Sequence, residues 1–485
     1  MNQSPTGFFS CHQGFADLND VRLCYNGFCR GMLHMRHRYI GDRQFYKRLF
    51  AITMPLVLQQ LITTSVQLVD NIMVGRLGEE AIGSVSVVNQ LFFVMILITF
   101  GVMSGAGIYS AQYFGSKDYD KLRQTFRFKI LAAVVVSVLT MVVFSVYGRF
   151  FITRFTDDVT TVTNGLGYLR IVRWSIMPWI LTVAISNTFR EIGITKPLLR
   201  ISLITIATNT ILNFILIFGM FGFPRMEIMG AAIATVIARG LEMMLTFVLL
   251  IRKGQVFNTR IKDLFKVRRL VLAGIVTMAL PLMLNEALWS MGQTVFLHAY
   301  SLRGLNALAA MNITGAISQL VFVTFGALST GIAVLVGNTL GKNELEQARD
   351  NARKLIAFSV TFAVIMGMVL FGLSFFIVDV YDVAVATKQA AVFNIRVNAL
   401  FIPIYSFNVA MYFTLRSGGD MKSTLIIDSG YMWVVAVPVA LMLGYLTVLP
   451  VTLMFLIVQS LEIPKMSLGL FRYRKGYWVK NLAQL

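Results

Sequence analysis

The sequence predicts an all-α integral membrane protein with twelve transmembrane helices in two pseudo-symmetric six-helix bundles and a central cleft. Three observations carry that prediction. The 485 residues are 56% hydrophobic and only 14% charged, against about 25% charged in soluble domains, so the chain lacks the polar surface to cover itself in water. From Leu49 onward, long charge-free runs alternate with short charged segments. The second part of the chain also repeats the first at one constant offset. This composition excludes an ordinary cytoplasmic enzyme and a disordered protein.

Residues 1–47 read as a polar, basic, cytoplasmic N-terminal extension without an apolar run of secretory-leader length. All three cysteines, Cys11, Cys24 and Cys29, lie in it. An odd count builds no disulfide framework, and Cys24 and Cys29 with His12 and His34 match no zinc spacing, so no metal and no cofactor is expected.

The charge-free runs 49–69, 81–116, 130–148, 201–224, 304–341, 355–378, 397–415 and 429–461 meet or approach the roughly 20 apolar residues that span a bilayer as a helix. Allowing for interrupted stretches, twelve spans fall near 49–74, 82–108, 126–148, 165–189, 198–219, 228–251, 270–299, 308–336, 355–379, 393–415, 424–443 and 448–470. They group into a first bundle at 48–252, a cytoplasmic linker at 253–269, a second bundle at 270–470 and a basic cytoplasmic tail at 471–485. The segments 116–127 and 342–353 read as short amphipathic surface helices. Pro55, Pro178, Pro281, Pro403 and Pro438 stand in apolar context and mark kinks whose freed backbone groups neighbouring helices must satisfy.

The net charge of +20 reads as topology. The segments 1–50, 111–130, 189–200, 251–270, 338–354, 416–424 and 465–485 hold 33 of the 43 Lys and Arg residues. The positive-inside rule then puts both termini in the cytoplasm, facing the anionic inner leaflet. The cations are dispersed over loops and gather on no single face, which removes a nucleic-acid partner.

The repeat has an offset of 226 residues. Met54 to Gln60 lies over Leu280 to Glu286, Gly78 and Ala81 over Gly304 and Ala307, and Gly115 over Gly341. Arg190, Gly193 and Lys196 lie over Arg416, Gly419 and Lys422, and Pro224 over Pro450. Each half crosses an even number of times, so the halves are parallel repeats about an axis along the membrane normal, an architecture suited to rocking about a central site.

A charge at the bilayer centre costs about 2.5–3.5 kcal/mol on insertion scales, so acids inside spans are functional candidates. Asp70 sits late in the first span and Glu286 early in the seventh. Their repeat mates, Phe296 and Gln60, are uncharged. Asn209 and Asn213 share a face of the fifth span at i,i+4, and Thr235 lies in the sixth. With Asp70 these oxygens make a candidate hard-cation or proton site; the alternative account of them is interhelical hydrogen bonding, about 0.6 kcal/mol each. Arg239 and Glu242 neutralise each other at i,i+3. His298 stands near an outer end. Asp157, Asp158, Asp379 and Asp382 read as solvated at the outer surface. No P-loop, HExxH or GxSxG occurs, so the chain is not read as an enzyme.

The stretches Val69 to Gly78, Gly230 to Thr235, Pro281 to Glu286 and Leu415 to Asp420 resemble those of the multidrug and toxic compound extrusion (MATE) family, over roughly residues 36–482. The resemblance implies an antiporter that exports organic, often cationic, drugs or metabolites in exchange for protons or sodium, by rocker-switch alternating access. It implies that Asp70, Asn209, Asn213 and Thr235 form the first-bundle cation site and that Glu286 belongs to a second-bundle site. The second-bundle acid that sodium-linked members carry near Tyr405 to Asn408 is missing here, which favours proton coupling or the first-bundle site. The family pattern starts near Met35, so Met35 is an alternative start to Met1. The partners implied are the lipid bilayer and a small organic substrate; the chain reads as a monomer in the inner membrane of a bacterium. A lipid-linked oligosaccharide flippase of the same wider superfamily is the alternative reading; it is disfavoured by twelve spans and few intramembrane cations.

Overall fold

The computed structural model describes residues 39–484 apart from 157, 253, 380 and 382. The cysteine and histidine positions of the N-terminal extension, the alternative start, Asp157 and Asp382 lie outside the described residues. Twelve helices long and apolar enough to cross a membrane follow one another. The first six are α1 (Arg43–Gly75), α2 (Glu79–Gly115), α3 (Tyr119–Ile152), α4 (Val159–Glu191), α5 (Lys196–Phe218) and α6 (Glu227–Arg252). The second six are α7 (Arg269–Ser301), α8 (Leu305–Gly341), α9 (Leu345–Asp379), α10 (Val385–Ser417), α11 (Met421–Leu446) and α12 (Val451–Arg474). Each expected span lies within one helix or overruns it by at most three residues.

The side chains are arranged for a surrounding apolar solvent. On α3, Val135, Leu139, Val142 and Val146 point outward and are each more than half exposed, while Ala133, Ser137 and Phe144 face inward. In water such a stripe would forfeit most of the hydrophobic gain of folding; against lipid it costs nothing.

The surface helices expected at 116–127 and 342–353 do not stand alone. The chain turns at Lys117 (φ 61°) and Asn343 (φ 64°) and then enters α3 and α9 directly. Asp118 caps α3 by accepting from Lys121 N at 3.0 Å. Neither stretch contains a Gly or Pro before the apolar run begins, so nothing breaks the helix between its amphipathic start and its membrane segment.

Pro55, Pro281 and Pro403 lie inside α1, α7 and α10. Pro178 follows a 3-10 turn at Arg173–Ser175 in α4, and Pro438 follows two π turns at Ile426–Gly430 and Met432–Ala436 in α11. Local unwinding before each of the last two prolines accommodates the missing N–H.

The repeat is carried by the backbone. The helices α1 and α7 both have 33 residues and α2 and α8 both have 37, each pair displaced by 226. Gly193 and Gly419 adopt φ 83° and 84° at the same place in the two halves. The halves touch through a doubled contact: a Cβ on Gly115 would lie 2.1 Å from Asn338 O, and one on Gly341 would lie 2.0 Å from Gln112 O. Gln112 and Asn338 are themselves 226 residues apart, so one backbone crossing occurs twice about the pseudo-two-fold axis. At the same end Gly105 packs on Ala279, Gly101 on Met283 and Gly331 on Thr53, joining α2 to α7 and α8 to α1.

The tail is not a loose basic appendage. Trp478 and Leu482 are buried, Gln112 accepts from Leu482 N at 2.6 Å, and the Gln112 side-chain amide donates to Ser417 O at 2.7 Å. The linker is tied similarly, with Phe257 buried against Phe126 and Phe189 and Arg127 bonded to Thr259 and to Lys266 O. The charge-derived topology needs one correction. Lys129, Arg416 and Lys465 belong to segments read as cytoplasmic loops, yet they are buried inside the bundles, because each sits on a helix that runs past its most apolar stretch and finds a carboxylate there.

Candidate functional site

The predicted residues separate into two places. In the first half, α1 carries Asp70 and α5 carries Asn209 and Asn213 one turn apart. Asn213 Nδ2 donates to Asp70 Oδ1 at 2.9 Å and lies 3.5 Å from Asn209 Oδ1. Asn213 is buried, and its own Oδ1 has no hydrogen-bond partner among the described residues. Thr235 is not part of this hydrogen-bonded group: its hydroxyl donates to Ala231 O of its own helix at 2.9 Å, the usual recourse of a threonine in an apolar helix. The arrangement offers a carboxylate and two amide oxygens, hard ligands for a proton or an alkali cation.

Glu286 lies in the second half, in a richer group. Arg416 Nη2 pairs with Glu286 Oε1 at 3.2 Å. The neighbouring Asn285 donates to Asp428 Oδ2 at 3.1 Å, and Lys465 Nζ lies 2.9 Å from Asp428 Oδ1 and 3.3 Å from Glu462 Oε1. Asn408 Nδ2 donates to Glu462 Oε2 at 2.8 Å. A second chain runs from Tyr405, which donates to Gln459, through Gln459 to Asn398 Oδ1 at 3.0 Å and from Asn398 to Ser318 Oγ at 2.6 Å. Such networks are strong only when their members are satisfied, and here Asn408 Oδ1, Tyr412 OH and Arg416 Nε lack partners among the described residues.

All of these second-half groups except Asn285 border one cavity of about 990 Å³. Its walls come mostly from α7, α8 and α10 to α12, and the first half contributes Leu56, Gln59, Gln60, Phe100 and Arg190. Aromatic rings of Trp289, Phe296, Phe322 and Tyr405 supply its apolar surface. Asp70, Asn209, Asn213 and Thr235 are not among its described lining residues.

The sequence reading passed over Asp428, Glu462 and Lys465. It counted Lys465 among the cytoplasmic cations of 465–485 and did not single out the two acids, although a carboxylate bounding an apolar run is itself a signal. The repeat register held a second signal, since Asp428 stands over Ser202 and Lys465 over Arg239. His298 meets Tyr445 OH at 3.0 Å on the exposed side. Arg239 and Glu242 pair at 2.8 Å as expected. Asp158 caps α4 by accepting from Thr161 N at 2.7 Å; hydrogen bonding to the Thr161 side chain first, and to its backbone N–H second, holds the carboxyl below the usual carboxylate range. Among the described residues no cluster of three or more His, Cys, Asp or Glu is placed to hold a metal ion.

Known proteins share this plan. The sequence pattern of the MatE family matches residues 55–215 and again 281–446, and the two matches begin at positions 226 apart. The probable multidrug resistance protein YoeA of Bacillus subtilis is 26% identical over 416 residues, covering 82% of this chain and 86% of its own. The probable multidrug resistance protein NorM of Bradyrhizobium diazoefficiens is 25% identical over 406 residues, with coverage of 82% and 86%. Among solved structures, a mutant of the Vibrio cholerae MATE transporter VcmN superposes with a TM-score of 0.83 at 18% identity, covering 91% of this chain and 99% of that one. An outward-facing MATE family transporter of the MOP superfamily gives 0.81 at 16% identity, covering 90% and 98%.

Proposed function

The chain belongs to the MatE family, and from that premise we propose that it is a cation-coupled antiporter exporting organic, often cationic, drugs or metabolites. It works in the inner membrane of a bacterium as a monomer with both termini in the cytoplasm, and its coupling ion is a proton or sodium. The observation that carries this reading is the separation of two chemistries: a large, partly aromatic cavity bordered by the second half, and a carboxylate–amide cluster around Asp70 in the first. Multidrug resistance proteins among its relatives support the class of cargo.

Coupling runs through the α1–α5 contact. An ionised Asp70 accepts the Asn213 amide N–H. Once Asp70 takes up a proton or faces a bound cation, it no longer needs that donor, and the favourable partner becomes the Asn213 Oδ1 that now lacks one. Turning the amide repacks α1 against α5, and only such a difference in contacts lets an ion bias one conformation over another. The halves are closed at the end bearing the linker, through the glycine contacts of α2 with α7 and α8 with α1; rocking about that crossing would open the other face of the cavity in turn. Transport of a panel of dyes and drugs by the purified protein in liposomes, with pH and sodium gradients imposed separately, tests the reading. Export that follows neither gradient would overturn it.

A further inference from the structure

Arg190 and Arg416 occupy the same place in the two halves and keep different company. Both line the cavity, from the ends of α4 and α10. Arg416 is paired with Glu286. The repeat mate of Glu286 is Gln60, so Arg190 has no corresponding acid. It is held instead by two amide oxygens, Gln59 Oε1 and Asn187 Oδ1, each at 3.3 Å. The acids around it are committed elsewhere, Glu191 to Lys129 and Glu242 to Arg239. Its Nε is buried and has no hydrogen-bond partner among the described residues. Of the three cations on the cavity wall, Arg190, Arg416 and Lys465, it alone has no carboxylate at ion-pair distance among the described residues.

A guanidinium removed from water calls for an anion, and its planar fork suits a carboxylate. Amide dipoles orient such a group without neutralising it. The imbalance is reversed on the α11–α12 wall, where Lys465 faces both Asp428 and Glu462 and one carboxylate is left in excess. The cavity therefore carries a surplus positive charge from the first half and a surplus negative charge from the second, with aromatic rings between its polar groups.

We propose that this cavity selects aromatic compounds that carry a carboxylate, zwitterions above all, and that Arg190 is the residue that holds the carboxylate. The assignment rests on the cavity being the substrate chamber.

The test uses the full-length protein purified in detergent and two probes, a rhodamine bearing a free benzoic acid and the same rhodamine as its methyl ester, with binding read by fluorescence polarisation. Wild type is expected to bind the acid about tenfold more tightly than the ester, the contribution of one charge-assisted pair. Arg190→Gln removes the guanidinium, and Gln60→Glu supplies the internal carboxylate that the second half already accommodates. Each should bring the ratio to about one by weakening the acid. Equal binding of acid and ester by wild type, or a tenfold ratio surviving in both variants, would overturn the assignment. If the ratios behave as expected but neither dye is exported from liposomes, the transport reading fails and the role of Arg190 stands.

Discussion

The two halves share a backbone and divide the chemistry. Helix limits, left-handed turns and the crossing at Gly115 and Gly341 recur after 226 residues, yet the polar side chains do not. Where the first half has Asp70, Asn209, Asn213 and Thr235, the second has Phe296, Val435, Val439 and Leu461. Where the second has Asn285, Glu286, Asp428 and Lys465, the first has Gln59, Gln60, Ser202 and Arg239. Some contacts survive with changed partners: Gln59 donates to Ser202 at 2.5 Å, and Asn285 donates to Asp428 at 3.1 Å, at equivalent positions. A duplicated scaffold can diverge in this way because a buried polar group is costly only when its partner is missing. Each half therefore changes its polar residues in complementary sets; on the proposed function the first half binds the coupling ion, while the second shapes most of the cavity.

The sharpest way to break this comparison is to neutralise the leading acid of each half. Asp70→Asn is expected to reduce gradient-driven export in liposomes to the level of empty vesicles, with the protein still folded. Glu286→Gln should leave coupling to the gradient intact and change apparent substrate affinity. The reverse pattern would exchange the roles of the halves.

Stability offers the next largest contrast. Lys465 and Arg239 are repeat mates, but Lys465 is 5% exposed and serves two acids, whereas the Arg239 side chain is 37% exposed and serves one. Lys465→Met strands buried carboxylates and should cost about 3–5 kcal/mol. Arg239→Met should cost about 1 kcal/mol or less. Thermal unfolding in detergent reads both, and equal losses would mean that the polar groups of the halves are energetically equivalent.

The shared scaffold makes a converse prediction. Gly115→Ala and Gly341→Ala each force a methyl group against a facing carbonyl and should destabilise by similar amounts, about 1–3 kcal/mol. A loss confined to one variant would show that the pseudo-two-fold crossing is not energetically symmetric. The smallest effect belongs to the helix starts: Asp118→Ala removes the cap of α3 and should cost about 1 kcal/mol, more than Glu344→Ala at the equivalent place in the second half. Comparable losses would show that the longer glutamate caps as well as the aspartate.

Much of the fold was legible because membrane helices are written in composition. A long run of apolar residues has one stable form in lipid, the helix that satisfies its own backbone, and each of the twelve expected spans was found on a helix. What misled the reading was charge. Lys129, Arg416 and Lys465 looked like loop cations because a sequence shows no partner across the bundle, and Asp428 and Glu462 were passed over for the same reason. Asp70 and Asn213, grouped from the sequence, meet in a hydrogen bond, whereas the Thr235 hydroxyl bonds to its own helix; spacing cannot distinguish a hydroxyl that reaches a neighbouring helix from one that bonds to its own.

The sequence by itself determined the twelve helices, their division into two parallel halves and the positions of the scarce acids, since these follow from hydropathy, turn residues and a repeat in one linear string. Only the tertiary structure decided which charges meet. Asn213 reaches Asp70 from 143 residues away, Lys465 reaches Asp428 from another helix, and Arg190 reaches the cavity with no carboxylate at ion-pair distance among the described residues. Compensation of a charge in a low-dielectric interior depends on distance in space, and distance in space is what a sequence does not record.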